Sequence, residues 1–273
     1  MHNQNHNNSK NKLSKLKEIL NCIKFKTTIS KDNLKPEVIL LIYQRPHKLK
    51  SILEAFSEQS FKDFKINILN NNFSKKEEIN QIANNFPNLN ITLEHSIENQ
   101  GSKAKFIVAK KSKGNPLIFI DDDMIPHQDF VEYMIEEHKK FGEKYILGWF
   151  SFIFKKEDFD SHEWPNIYEE ADYIGSGSMI LDRTIIDNTK ELQNIPEYAK
   201  KAEDLWLSSI ARKKGYNLVR IKQKVNHFPD NQDQYLQLEK GKENYKNKLF
   251  KILRKSGWRL IKDNKTNHTI PIH

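Results

Sequence analysis

Cysteine is almost missing: Cys22 is the only one in 273 residues, and a lone thiol cannot close a disulfide within the chain. Proline and glycine are sparse, nine of each, and no Pro/Gly-rich linker divides the chain into two independent domains. No apolar run approaches the ~20 residues needed to span a bilayer. The opening stretch MHNQNHNNSK has no hydrophobic segment of the kind a secretory signal requires. These absences lead to the expectation of a reducing, cytoplasmic setting. No internal repeat is present. Asn, Lys and Ile are used so heavily that Asn-rich patches, including Asn90-Ile91-Thr92, carry little functional weight of their own.

With 37% apolar and 11% aromatic residues, the chain can bury one substantial core. Its net charge of +9 lies mostly at the ends. Residues 1–36 carry +6 and residues 239–273 carry +7, which leaves −4 for the stretch between them. A nucleic-acid binder would place its basic charge on the folded body, so no nucleic-acid partner is expected. Leu13, Leu16, Ile19, Leu20 and Ile23 recur at helical spacing among lysines. This predicts a short basic amphipathic helix, either packed on the domain or lying on an anionic membrane surface. The expected organisation is a basic extension over 1–36, a catalytic body over 37–230 and a basic tail over 231–273.

From residue 37 the pattern alternates strand and helix. Strands are expected at 38–43, 64–69, 91–95, 117–120, 145–152, 173–181 and 218–225. Helices are expected at 47–56, 102–111 and 126–141, from a Ser74/Glu77 capping box to Phe86, and from Glu203 to Gly215. Such alternation implies an α/β fold with a largely parallel sheet flanked by helices. Ligands then bind beyond the carboxyl ends of the strands. Three segments fall there: Tyr43-Gln44-Arg45-Pro46, Asn70-Asn71-Asn72 and Asp121-Asp122-Asp123.

The last of these follows the apolar run Leu117–Ile120 directly. Three carboxylates at a strand end repel one another unless a cation is present. A turn with one helix-capping aspartate would use only one of the three. A divalent ion that bridges to substrate phosphates would use more, and oxygen ligands suit Mg²⁺ or Mn²⁺. Glu203-Asp204 is a second acid pair, which alone reads as complementing a helix N-terminus. His227, after a strand, is an ordinary histidine when taken by itself.

The order of these segments resembles the GT-A glycosyltransferases, and within them the family 2-like group, over roughly residues 37–230. VILLIYQRPHKLKSILEAF resembles the first strand, turn and helix of that family. ILNNN stands where members contact the nucleotide base, commonly through an aspartate that is asparagine here. ENQGSKAKFIVAKKSKGNPLIFIDDD resembles the segment that enters the D-x-D motif. GSGSMILDR is similar to the Gly-rich acceptor-side strand, EDLWLSSIARKKGY to the Glu-Asp helix, and VNH to the strand whose histidine completes a metal shell.

The resemblance implies a metal-dependent hexosyl-type transferase that moves one sugar from a nucleotide-sugar donor, UDP-linked by first choice, to a glycan or lipid-linked hydroxyl. It implies metal binding by Asp123 and by Asp121 or Asp122, with His227 as a further ligand to Mn²⁺ or Mg²⁺. Tyr43, Arg45, Asn71 and Lys103 would line the nucleotide-sugar pocket with Asp121 and Asp122. Gly175, Ser176 and Gly177 would approach the sugar with bare backbone. Asp204 would be the general base, oriented with Glu203, and the outcome inversion. Trp149, Trp164 and Trp206 offer flat surfaces for sugar rings. No Gln-x-x-Arg-Trp follows EDLWLS, which implies single transfers and no long polymer. The rivals are a nucleotidyltransferase, disfavoured because Gln44–His47 has no glycine for a phosphate loop, and a non-catalytic membrane or glycan-binding module.

Overall fold

Five of the six residues of β1 (Glu37–Ile42) are buried, as expected for a strand covered by helices on both faces. In this computed structural model, which describes residues 35–229 and 245–264, β1 lies inside a seven-stranded sheet. Its companions are β2 (Lys65–Asn70), β3 (Ile91–His95), β4 (Leu117–Asp121), β6 (Tyr145–Gly148), β10 (Ser178–Leu181) and β11 (Asn217–Arg220). The order is β11-β6-β10-β4-β1-β2-β3. Only β10 runs against its neighbours β4 and β6; the other pairings are parallel. The fold is the expected α/β arrangement.

Register decides which loops meet. Leu41 pairs with Asp121 and Ile42 with Asn70. The carboxyl ends of β1, β2 and β4 therefore finish level, and the turns at Tyr43, Asn71 and Asp122 share one edge of the sheet. Helix α1 (Pro46–Ser57) starts with proline in its first turn, where the missing N–H costs nothing, and buries Leu49, Ile52, Leu53 and Phe56. Helix α3 (Ala104–Lys111) buries Ala104, Lys105, Phe106, Val108 and Ala109.

Several elements differ from the sequence reading. The helix expected from Ser74 is α2 (Lys76–Asn84), preceded by a 3-10 turn at Phe73–Lys75. Asn72 caps that turn by accepting the Ser74 N–H at 3.2 Å, and the helix itself starts after Lys75 with no side-chain cap. The helix stops short of Phe86 because Pro87 disfavours helical backbone before it. The helix expected from Pro126 is α4 (Phe130–Phe141); Met124–Pro126 is a short strand, β5, paired with β12 (Val225–His227). The expected strand 218–225 is thus two strands, β11 and β12.

The strand expected at 145–152 also divides, into β6 and β7 (Ser151–Phe154). β7 leaves the main sheet to pair with β8 (His162–Glu163) and β9 (Tyr173–Ile174). The division falls at Gly148, where a Cβ would meet Ile174 Cγ2 at 2.5 Å. The strand expected at 173–181 is interrupted by Gly175–Gly177 between β9 and β10.

After β10 come α5 (Arg183–Asn188), α6 (Lys190–Gln193) and α7 (Glu203–Lys213). The C-terminal segment then contributes α8 (Tyr245–Lys255) and α9 (Ile261–Asn264). Leu249, Phe250, Leu253, Trp258 and Leu260 join the same core, with Phe154 and Phe250 ring centroids 4.8 Å apart. The expected helix at Leu13–Ile23 and the rest of the basic N-terminal extension lie outside the described residues. Among the described residues, no helix is long and apolar enough to cross a membrane.

Candidate active site

The three aspartates after Ile120 do not share one environment. Asp122 is buried, with Oδ1 2.6 Å from Arg45 Nη2 and Oδ2 accepting from the Tyr43 backbone N–H at 3.4 Å. Asp121 and Asp123 keep about a third of their side chains exposed. Asp123 Oδ2 is 3.3 Å from Arg45 Nη1. Its Oδ1 is buried and has no hydrogen-bond partner among the described residues. Burial, and then the charge of Asp121, push the Asp123 carboxyl above its usual range, opposed by Arg45 and His227. Asp121 ends β4 and Asp122 and Asp123 form the turn to β5; within that turn Asp122 faces inward, where Arg45 holds it.

Asp121 is tied to the second acid pair through one ammonium. Lys105, only 4% exposed, donates to Asp121 Oδ1 and to Ser176 Oγ at 2.8 Å, and lies 3.6 Å from Glu203 Oε1. Burial works against the charged ammonium, but the flanking carboxylates of Asp121 and Glu203 outweigh it and raise its pKa. Glu203 accepts from Ser176 Oγ at 2.9 Å and from Ser102 Oγ. Burial pushes its carboxyl up, with Lys105 opposing. Asp204 Oδ1 accepts its neighbour Leu205 N–H at 2.8 Å, and Oδ2 accepts from the Tyr173 hydroxyl. Burial and the adjacent Asp204 raise the Tyr173 pKa well above its ordinary value, so Tyr173 stays protonated and donating.

Gly177 permits the close approach of these parts. A Cβ there would meet Met124 Cε at 2.5 Å and Asp121 Oδ2 at 2.9 Å, while the Gly177 carbonyl accepts the Asp121 N–H at 3.2 Å. Gly177→Ala is expected to displace the Asp121 carboxylate and lower kcat/KM about 10²-fold. The flexible Met124 end can yield, so the melting temperature should move by only a few degrees; parallel kinetics and thermal unfolding check this. Gly175 is equally confined, because a Cβ at that position would lie 2.5 Å from Phe150 Cδ1.

Asn71 is buried and committed to the neighbouring loop: its amide donates to Asn99 Oδ1 at 2.8 Å and to the Gly101 carbonyl at 3.2 Å, and its Oδ1 accepts from Gln100 N at 3.0 Å. It shapes the pocket edge next to half-buried Tyr43. Lys103 is not brought to the aspartates; its ammonium is 3.9 Å from Glu197. His227 is exposed and paired in register with Met124, and its ring is 5.7 Å from that of Trp149. Trp149 stacks on Trp164 at 5.8 Å. Trp206 instead donates its indole N–H to the Glu191 carbonyl at 3.0 Å.

Lys105, Ser102, Tyr173 and Lys246 were not singled out by the sequence. Lys105 had a readable signal, because it sits three and four residues before Val108 and Ala109, on the buried side of its helix. Lys246 had none among the ten basic residues of its segment.

The model of the family described as "Glycosyl transferase family 2" matches residues 37–201, more than half the chain. The chain belongs to glycosyl transferase family 2. The matched stretch of this transferase contains the whole aspartate run and ends two residues before Glu203. No curated protein matches the chain. Among solved structures, it is similar to Staphylococcus aureus TarS 1–349 in complex with UDP, with TM-score 0.50, 18% identity, and coverage of 70% of this chain and 60% of that one. It is also similar to the mannosyltransferase PcManGT of Pyrobaculum calidifontis in complex with GDP-Man and Mn²⁺, with TM-score 0.57, 13% identity, and coverage of 81% and 65%. A third is GalNAc-T7 with UDP, GalNAc and Mn²⁺, at TM-score 0.55, 12% identity, and coverage of 70% and 42%. These likenesses establish the GT-A fold, and the transferase spans less than two thirds of each of these chains.

Proposed function

We propose that this transferase moves a single sugar from a nucleoside-diphosphate donor, UDP-linked by first choice, to a hydroxyl of a glycan or lipid-linked acceptor, with inversion at the anomeric carbon. The observation that carries this reading is the convergence of two acid pairs on Lys105: Asp121 from the D-x-D edge and Glu203 beside Asp204.

The residues present fit a divalent ion. Asp123 offers a buried oxygen without a partner, the donors are hard carboxylate oxygens, and the charge of Asp121 still pushes the Asp123 carboxyl up despite Arg45 and Lys105. No group of three or more metal-ligating side chains exists among the described residues. Mg²⁺ is usually held by one or two carboxylates plus substrate phosphates, a set that Asp121 and Asp123 could supply for it or for Mn²⁺. Asp123 and Asp121 would hold the ion, with His227 at its margin. When bound it would neutralise charge on the departing diphosphate.

The chain's own groups do the rest. Asp204 accepts the acceptor hydroxyl's proton as that oxygen attacks opposite the leaving group. It suits this role better than Glu203, which is more deeply buried and holds Ser102, Ser176 and Lys105. Arg45 fixes Asp122 and Asp123, so the aspartate turn is set before donor arrives. Tyr43, Asn71 and the 99–101 loop border the nucleotide, and Gly175–Gly177 lie against the sugar. The basic ends, +6 and +7, support peripheral contact with an anionic membrane on the cytoplasmic side, at about 1 kcal/mol per cation near the surface.

The test is release of nucleoside diphosphate from a panel of UDP- and GDP-sugars with Mn²⁺, Mg²⁺ or chelator. Metal-dependent turnover of at least one donor, with an inverted product by NMR, is expected. Binding without turnover of any donor would return the chain to the non-catalytic reading, and a retained anomeric configuration would remove the one-step mechanism.

The Asp123 carboxyl gives a further expectation. Its folded pKa lies above its unfolded one, so the folded state binds more protons and stability falls as pH rises through that window. In chelator, Asp123→Asn should be more stable than wild type at neutral pH, by no more than about 2–4 °C, roughly what 1 kcal/mol produces in a chain of this size. The difference should vanish below about pH 4, where the wild-type group is protonated in both states. Thermal melts of both proteins across pH check this.

A further inference from the structure

Helix α8 lies beyond the segment matched to the family, yet it reaches the proposed base. Its first turn is held on three sides. The Tyr245 hydroxyl donates to the Tyr198 carbonyl at 2.5 Å. Asn247 accepts from Phe159 N at 2.9 Å and donates to Asp160 Oδ2 at 2.9 Å. Leu249, Phe250 and Leu253 anchor the next turns in the core. Between these fixed points, the Lys246 ammonium lies 5.4 Å from the ring centres of both Phe159 and Tyr173. It is 3.2 Å from the Tyr173 hydroxyl and 3.6 Å from Asp204 Oδ2.

The donor order is fixed by chemistry. An ammonium only donates, so the Tyr173 oxygen accepts from Lys246 and must direct its own hydrogen elsewhere, to Asp204 Oδ2. We infer that Lys246 is a positioning residue of the transfer reaction: acting through Tyr173, it locks the Asp204 carboxylate in the orientation that receives the acceptor's proton. Without it the Tyr173 hydrogen is free to turn and the carboxylate loses one of its three restraints. The other charged groups near this carboxylate are Glu203, Lys105 and Asp121, which are hydrogen-bonded or paired among themselves and with Ser176 and act on Asp204 and Tyr173 through their charge. Helix α8 is thereby part of the reaction centre as well as of the core. This rests on the reading of Asp204 as the base.

The test compares Lys246→Ala, Lys246→Arg, Tyr173→Phe and Asp204→Asn. The assay is Mn²⁺-dependent release of nucleoside diphosphate from the donor that turns over, with water as acceptor. Lys246→Ala should lower kcat about 10–100-fold, the scale of a misplaced group, with nucleotide Kd and melting temperature close to wild type. Added ethylammonium should restore part of that loss in Lys246→Ala and none in Tyr173→Phe, and Lys246→Arg should keep most of the activity. Wild-type kcat in Lys246→Ala while Asp204→Asn is inactive would overturn the inference and leave the base assignment standing. Loss of nucleotide affinity or of thermal stability matching the loss of kcat, with no amine rescue, would also overturn it, since that is a purely structural role. Full activity in Asp204→Asn would instead overturn the base assignment itself.

Discussion

Asp204→Asn is expected to lower kcat by about 10²–10⁴-fold, the usual contribution of a positioned general base, while nucleotide affinity and folding stay near wild type. Asparagine matches the carboxylate in size; its one oxygen can still accept the Leu205 N–H, while its amide nitrogen donates to the Tyr173 oxygen where the carboxylate accepted from it. What it cannot do is take a proton. The loss should therefore appear in kcat and kcat/KM together, the signature of an interaction made in the transition state. Steady-state kinetics beside calorimetry of UDP or GDP binding separates this from a binding defect. Equal activity in wild type and variant would remove Asp204 from the reaction.

Lys105→Met is expected to cost about 3–5 kcal/mol of folding stability, the penalty for leaving a buried charge without its partner. In a chain of this length that is a fall of roughly 6–20 °C in melting temperature. Methionine fills the space of the stem but leaves buried Glu203 without its cation beside Asp121, with Ser176 short of one donor. Adding Glu203→Gln should recover a large part of the lost stability, because it removes the uncompensated charge, and should recover none of the activity. A double variant no more stable than Lys105→Met would show that the ammonium stabilises by packing alone.

How much of this is legible in the sequence depends on range. The apolar runs at 38–42 and 117–120 announce central strands, and a turn after each announces the ligand edge. That Asn70, Asp121 and Tyr43 meet follows from parallel pairing, which aligns carboxyl ends. The places where structure and sequence pattern part are places where a side chain's partner is distant in sequence. Tyr145–Phe152 is mostly apolar, and nothing within it signals that the chain leaves the main sheet after Gly148, the residue packed against Ile174. Ser74 and Glu77 have the spacing of a capping box, but a 3-10 turn capped by Asn72 takes up Ser74 and moves the helix start to Lys76. Lys103 and Lys105 differ only in helical phase: Lys105 shares a face with Val108 and Ala109, and the packing of α3 buries that face and brings Lys105 into the site. Lys246 reaches Asp204 from 42 positions away, across a segment whose pattern is merely basic. Within the aspartate run, the turn after Asp121 and the position of Arg45 separate the inward Asp122 from outward Asp121 and Asp123, and neither can be read from three like residues in a row.

The geometry also bears on the contribution of the basic ends. Trp258, Leu260 and Phe250 are core residues, so removing 239–273 would unfold the domain. Membrane contact is better tested by vesicle sedimentation of the full chain against one lacking residues 1–30.

The central claim is that Asp121 and Asp123 hold a divalent ion that grips the donor's diphosphate, and calorimetric titration of UDP and GDP tests it most directly. With Mn²⁺, the wild-type protein should bind at least one of the two nucleotides. That binding should weaken about tenfold or more, at least 1.4 kcal/mol, in chelator or in Asp123→Asn. Nucleotide binding of equal strength with Mn²⁺, with chelator and in Asp123→Asn would contradict it.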